Sequence, residues 1–252
     1  TLRKLRKWLG NAKITGVGLT MTAELSDAYQ TKRKGVTHIL ACAAKVFSDI
    51  PVVVLDVDAT LRSMSDALSD PLKVASANWA ATGWLISKLV KDCVVIDVGS
   101  TSTSIISVVR GCVTCVGKTD LEKLVSGELV YTGVLRTNVA AMVTAIPVGE
   151  KCSRVSSELF ALSGDVHLIL GNIKPEEYTV ETADGRGKTR FEAMARLARV
   201  VCADTDMLDE QELLQMAQYV YNSQLEQVAN ALRQVLETTK LTASKKGTAV
   251  VT

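Results

Sequence analysis

Asp97-Val98-Gly99-Ser100-Thr101-Ser102-Thr103-Ser104 stands between two apolar runs, Cys93 to Ile96 and Ile105 to Val109. Two short apolar runs parted by a glycine and a block of hydroxyls read as strand, tight polar turn, strand. The acidic residue at the strand end, a glycine able to take positive φ and the Ser/Thr cluster place backbone N–H and side-chain O–H groups around one small concavity. Phosphate oxygens or a hydrated Mg²⁺ suit that concavity. An ordinary Gly-Ser-Thr hairpin with no ligand also satisfies these residues, and at this point both readings stand.

The rest of the chain alternates helix and strand patterns. Ile14 to Met21 and Pro51 to Val57 read as strands, and Gly35 to Ser48 as a helix with Val36, Ile39, Leu40, Ala43 and Val46 on one side. Val74 to Val90 is small-residue-rich and helical, Asp92 to Val98 is a buried strand, and Ile105 to Val116 is a hairpin around Gly111. Thr189 to Ala203 and the long Asp209 to Thr239 stretch carry strong helix formers in amphipathic order. A mixed α/β architecture follows. Arg3, Lys4, Arg6 and Lys7 open the chain with Leu2, Leu5, Trp8 and Leu9 on helical spacing, which reads as a solvated helix face.

Composition narrows the function classes. Charges nearly balance, with 29 Lys and Arg against 27 Asp and Glu, so no whole-chain field favours nucleic acid or an acidic membrane. Aromatic residues make up 4%, too few for a binder that stacks on single-stranded bases. No apolar run is long enough for a membrane span and no signal-peptide pattern opens the chain, so a cytoplasmic protein acting on small molecules is expected. The six cysteines sit mostly in apolar runs, where they act as small hydrophobes. Cys112 and Cys115 have metal-type spacing, but on a strand they face opposite sides and they lack a second pair. His38 and His167 are the only histidines, which leaves little material for a histidine-based nucleophile or metal site.

Several longer motifs occur in a characteristic order: Thr20-Met21-Thr22-Ala23-Glu24-Leu25-Ser26-Asp27, Ala75-Ser76-Ala77-Asn78-Trp79, the Asp97 to Ser104 turn, and Gly127-Glu128-Leu129-Val130-Tyr131-Thr132-Gly133-Val134-Leu135-Arg136-Thr137. Glu158-Leu159-Phe160-Ala161, Asp165 to Gly171, Thr182-Ala183-Asp184-Gly185-Arg186 and Arg196 to Asp204 continue the series. From about Thr15 to Asp206 the chain resembles the hydantoinase A-like family linked to tetrahydromethanopterin C1 metabolism.

That resemblance implies an actin/Hsp70/sugar-kinase-like fold, with ribonuclease-H-like α/β lobes around a phosphate-binding cleft. Residues 1–92 would be the remainder of a first lobe, and 93–252 a second lobe with a helical insertion. It also implies a Mg²⁺-assisted transfer in which the phenol of γ-glutamyltyramine displaces diphosphate from a furan-methyl diphosphate to form an aryl ether. Asp97 would hold Mg²⁺, while Gly99, Ser100, Thr101 and Thr103 would line the phosphates. Arg136 would steady the leaving group, and Glu24 and Asp27, on one face of a short helix, would accept the phenol proton or join the metal shell. Asn78, Glu128, Asp184 and Arg186 would bind substrate. The expected partners are the two small-molecule substrates, with no nucleic acid and no membrane, and with a homo-oligomer as an option.

The chain departs from the family pattern in several places. Nothing upstream of Thr15 supplies the usual opening hairpin with its Asp-x-Gly-Gly phosphate loop, and the ends read as those of a fragment. Ser104 stands where an acidic residue is usual, Asn138 replaces a proline, Leu162-Ser163-Gly164 replaces Thr-Thr-Ala, and Thr242 to Gly247 carries lysines in place of a glycine-rich nucleotide turn. Two other classes therefore accompany the transferase reading: an ATP-using kinase or hydantoinase-type relative, and a non-catalytic binding or assembly subunit.

Overall fold

The computed structural model describes residues 2–10, 12–239 and 248–252; the Thr242 to Gly247 turn lies outside the described residues. In chain order the first elements are α1 (Leu2–Trp8), β1 (Val17–Leu19), α2 (Lys32–Val46), β2 (Val52–Leu55), β3 (Leu61–Ser63), α3 (Met64–Ser69), α4 (Asn78–Leu89), β4 (Cys93–Val98), β5 (Thr103–Val109), β6 (Cys112–Val113) and α5 (Asp120–Ser126). There follow β7 (Leu129–Val130), α6 (Val139–Met142), β8 (Ala145–Val148), β9 (Lys151–Arg154), α7 (Ser163–Ile169), α8 (Arg190–Arg199), α9 (Glu210–Thr238) and β10 (Ala249–Val251). The fold is mixed α/β.

The described residues form two compact units, one drawn from 1–95, 106–128 and 239–250, the other from 96–105, 129–238 and 251–252. These two units interleave along the chain and share no single boundary at residues 92 and 93. Strand pairing joins segments far apart in sequence, and the chain passes from one unit to the other within β4 and again within β5.

In the first unit, β1 runs parallel to β2 with α2 as the crossover, and β3 pairs antiparallel to β2. Thr31 caps α2 by accepting from the Lys34 N–H, and Val36, Leu40 and Ala43 repeat at helical spacing on its buried side, packed with Val54 and Val74. Trp79, Val95, Ile106 and Val108 belong to a second cluster. Arg110 at φ 53° and Gly111 at φ 74° make the two-residue turn between β5 and β6, the left-handed pair that a tight hairpin requires. The helix expected from Val74 starts only at Asn78, because Pro71–Lys73 forms a single 3₁₀ turn and Ser76 takes φ 51°. The strand expected over Ile14 to Met21 is confined to Val17–Leu19.

The second unit is built on α9. Leu213, Met216, Ala217 and Val220 lie on its buried side and pack with Ile146, Val139, Leu197 and Tyr178. A capping box between Thr189 and Glu192 starts α8. On α7, His167 is buried with Nε2 3.0 Å from Gln224 Oε1 and Nδ1 3.2 Å from Asn172 Nδ2. The Gln224 amide nitrogen donates elsewhere, so its oxygen faces the ring and His167 donates from Nε2. Protonating Nδ1 would then set two donors against each other. Burial also holds this imidazole below its ordinary value.

Because the folded state lowers this value, the stabilisation is complete above the unfolded value of about 6.5 and is lost as the pH falls below it. Urea midpoints are expected to fall between pH 7 and pH 5 in the parent chain. They should fall less steeply in His167→Gln, and equal slopes would remove His167 from the account.

Candidate phosphate-binding site

The Gly99 to Ser102 turn between β4 and β5 is held by backbone from the loop after β7. Gly99 N–H donates to Ser102 O at 2.9 Å, closing the turn. Val134 N–H donates to Gly99 O at 3.0 Å, and the Leu135 and Arg136 N–H groups both donate to Ser100 O, at 3.0 and 2.9 Å. The Gly99, Ser100 and Ser102 carbonyls are therefore consumed. The N–H groups of Ser100, Thr101 and Ser102 have no backbone acceptor among the described residues. A run of unspent N–H groups on a tight turn is the polarity an anion requires.

Gly133 makes this approach possible. A Cβ built there would lie 2.5 Å from Gly99 O and 2.6 Å from both Ser100 C and Thr101 N, so only glycine lets the two backbones meet. Gly133 O and Thr132 Oγ1 both accept from Gln224 Nε2 at 2.9 Å, while Gly133 N–H donates to Thr137 Oγ1 at 2.9 Å. Thr137 in turn is joined to α7 through Ser163, whose Oγ accepts from its N–H and whose N–H donates to its carbonyl. His167, Gln224 and Gly133 thus form a buried hydrogen-bonded line that ends at the turn.

Gly99, Ser100 and Thr101 lie on this turn, Asp97 is half-buried near the end of β4, and Arg136 is anchored through its backbone N–H with an exposed side chain. Gly99 does not have a positive φ; a Cβ there would come 3.1 Å from Ser102 O, so its requirement is closeness across the turn. Thr103 is corrected. It is buried in β5 and its hydroxyl is spent on Thr132 O at 2.9 Å, because strand alternation turns it away from the concavity.

Asp184 accepts from Arg196 and Arg199, each at 3.1 Å, and from the Arg186 N–H at 3.2 Å, which fixes it to α8; the Arg186 side chain is exposed. Beneath it, the fully buried Arg196 meets Asp165 Oδ1 through Nε at 2.9 Å and Nη2 at 2.8 Å, and Asp165 Oδ2 accepts from Leu162 N–H at 2.9 Å. Burial pushes the Asp165 carboxyl up, against the pull of Arg196, whose own guanidinium the pairing raises. These two influences oppose each other. With Arg196 Nε and Leu162 N–H donating to the carboxylate and Nη2 in ion-pair contact with it, we take the pair as ionised. Tyr178 lies over Gly164, where a Cβ would come 2.6 Å from the ring, and burial with Asp165 nearby holds its phenol far above the ordinary range.

The remaining candidates lie in the first unit. Glu24 is buried, takes the Ser76 hydroxyl on Oε1 and, among the described residues, leaves Oε2 without a partner. Ser76 Oγ also lies 2.9 Å from Asp120 Oδ2, which is paired with Lys32. The expectation that Glu24 and Asp27 share a helix face is corrected: the 3₁₀ turn ends at Leu25, Ser26 is extended, and Asp27 is exposed. Asn78 is exposed at the start of α4. Glu128 is buried and braces a loop, accepting from Val116 and Gly117 N–H at 2.7 Å each and from Ser126 Oγ at 3.0 Å. These three donors account for a charge in a buried place without any ligand.

Among the described residues no three His, Cys, Asp or Glu side chains converge as a metal set. Mg²⁺ needs no such set when it binds with phosphate, since one or two carboxylates, waters and phosphate oxygens complete its shell. Asp97, two residues before the turn with unspent N–H groups, fits that form. Sequence reasoning missed Gln224 and the Asp165–Arg196 pair. A glutamine on the apolar side of α9, four residues after Val220, was the available signal for the first.

Residues 15–252 match the hydantoinase/oxoprolinase family model. The chain is 40% identical over 217 residues to the (4-{4-[2-(γ-L-glutamylamino)ethyl]phenoxymethyl}furan-2-yl)methanamine synthase of Methanocaldococcus jannaschii, covering 86% of this chain and 65% of that protein. It is 33% identical over 147 residues to the synthase of the same name from Methanococcus vannielii, covering 58% of this chain and 66% of that one. The matched part is thus under two thirds of the length of either relative. A nucleotide-free acetone carboxylase structure aligns with a TM-score of 0.48 at 13% identity, over 81% of this chain and 30% of that one. No helix among the described residues is long and apolar enough to cross a membrane.

Proposed function

This chain belongs to the hydantoinase/oxoprolinase family, and on that premise we propose that it carries the diphosphate-handling part of a transferase in methanofuran-type cofactor biosynthesis. The relatives' name describes a product in which a phenoxymethyl ether joins an aryl group to a furan bearing a methanamine. The proposed reaction forms the bond between the phenol oxygen of γ-glutamyltyramine and the furan-methyl carbon. The bond from that carbon to diphosphate breaks, and diphosphate leaves with the electron pair.

The observation that carries the reading is the turn at Gly99 to Ser102, with the Gly99, Ser100 and Ser102 carbonyls tied down and the Ser100, Thr101 and Ser102 N–H groups unspent. Such preorganised donors stabilise charge that grows on a departing oxygen at no cost of reorganisation. Arg136 is proposed to reach the same anion from its anchored backbone, in bidentate fashion. Asp97 would hold Mg²⁺, which when bound neutralises diphosphate charge. Glu24, with one oxygen unpartnered, is the carboxylate proposed to accept the phenol proton, and Asp27, Asn78 and Arg186 remain exposed candidates for substrate contact. We further read the two α/β units as ribonuclease-H-like lobes of the actin/Hsp70/sugar-kinase type.

Mixing the chain with γ-glutamyltyramine, the furan-methyl diphosphate and Mg²⁺ is expected to yield the coupled ether by mass spectrometry. Asp97→Ala should lower its rate about 100-fold or more. No ether from folded parent chain would reject catalysis by this chain and favour the binding or assembly role.

A further inference from the structure

A second constellation joins α2 to the segment just before it. Cys42 Sγ is 3.4 Å from His38 Nε2, one helical turn earlier, and His38 Nδ1 is 2.7 Å from the Tyr29 hydroxyl. The Tyr29 and His38 rings meet edge to face, with centroids 5.6 Å apart. Thiol, base and orienting group therefore stand in line, which is the arrangement that activates a nucleophile. When Nδ1–H donates to the Tyr29 oxygen, the Nε2 lone pair is left facing the thiol.

We propose that Cys42 is a reactive thiol site that takes low-molecular-weight disulfides, with His38 as its base and Tyr29 as the residue that positions His38. In the step, His38 Nε2 takes the Cys42 proton and the thiolate sulfur attacks one sulfur of the disulfide. The disulfide's S–S bond breaks, a mixed disulfide forms at Cys42, and the departing thiolate recovers the proton from His38.

The other cysteines provide the comparison within the same molecule. Cys112, Cys152 and Cys202 are exposed, whereas Cys42 is half-buried. Access alone would make Cys42 slower than those three. Cys93 and Cys115 are buried, and burial holds both thiols above their ordinary values, so neither competes.

The test treats the whole chain at neutral pH with limiting bis(hydroxyethyl) disulfide, traps remaining thiols with iodoacetamide and maps each cysteine by mass spectrometry over time. Cys42 is expected to react at least about tenfold faster than Cys112, Cys152 or Cys202, and His38→Gln should erase that margin while leaving those three unchanged. Tyr29→Phe should give an intermediate rate and move the rate–pH profile of Cys42 toward that of the exposed cysteines. His38 is exposed, and matching far-ultraviolet spectra with a second variant, His38→Asn, guard against a folding artefact. Cys42 reacting no faster than the exposed cysteines, or keeping its margin in both His38 variants, would overturn the proposal.

Discussion

Gly133→Ala is expected to reduce ether formation by roughly 100-fold, the scale of loss when a reacting group is displaced by about an ångström. The added methyl has nowhere to go. Its nearest neighbours are Gly99 O at 2.5 Å and the Ser100 C and Thr101 N atoms at 2.6 Å, all backbone, so none can swing aside as a side-chain tip would. Either the loop retreats and the bonds from Val134, Leu135 and Arg136 to the turn lengthen, or the turn itself is pushed over. Both outcomes disorganise the proposed anion cradle.

The stability loss should be smaller, about 1–3 kcal/mol for an overpacked contact. Activity per folded molecule is therefore the informative readout, with thermal melting as the companion measurement. Gln224→Leu should give a milder version, since it removes donors to Thr132 Oγ1 and Gly133 O but introduces no collision. A fully active, well-folded Gly133→Ala would show that the turn's position is irrelevant to the chemistry.

Asp165→Ala is expected to be the most destabilising single change, by about 3–5 kcal/mol, because it strands the Arg196 guanidinium in a site with no exposure. Asp184 would retain its bond to Arg196 Nη1, but Nε would lose its acceptor, Nη2 its ion-pair contact, and Leu162 N–H at the start of α7 its acceptor as well. Urea denaturation followed by amide exchange in α7 and α8 measures the effect. Pairing the change with Arg196→Met should recover a substantial part of the loss, since an apolar pair of similar bulk often matches a buried ion pair. If the double variant were as unstable as the single one, the cost would lie in lost packing around Tyr178 and Gly164 and not in the stranded charge.

The elements governed by local rules could be read directly from the residues. The β4–turn–β5 signal lies in the contrast between apolar runs and the Gly-Ser-Thr block, α9 in its apolar spacing, and the β5–β6 hairpin in Gly111. Family membership was legible as well, through motifs that keep their order along the chain. Asp97, Gly99, Ser100 and Thr101 were placed on a strand end and turn by the same local logic.

The partners of that turn were a different matter. Thr103 belongs to the eight-residue motif by type, yet strand alternation and one hydrogen bond to Thr132 O remove its hydroxyl from the concavity. Glu24 and Asp27 are spaced for a shared helix face, but a 3₁₀ turn of three residues ends before Asp27. Glu128 and Asp184 carry the charge of binding residues and spend it on loop N–H groups and on Arg196 and Arg199. Gln224 reaches Gly133 across 91 positions of chain. Propensity and periodicity act over a few residues, so amino-acid order alone located α2, the β4–turn–β5 segment, the β5–β6 hairpin, α8 and α9 and the family they compose, but not the full extent of every helix and strand. Which polar groups are consumed inside the fold and which stay available to a ligand depends on long-range approach of backbones, and packing around Gly133, Gln224 and the Asp165–Arg196 pair settled that.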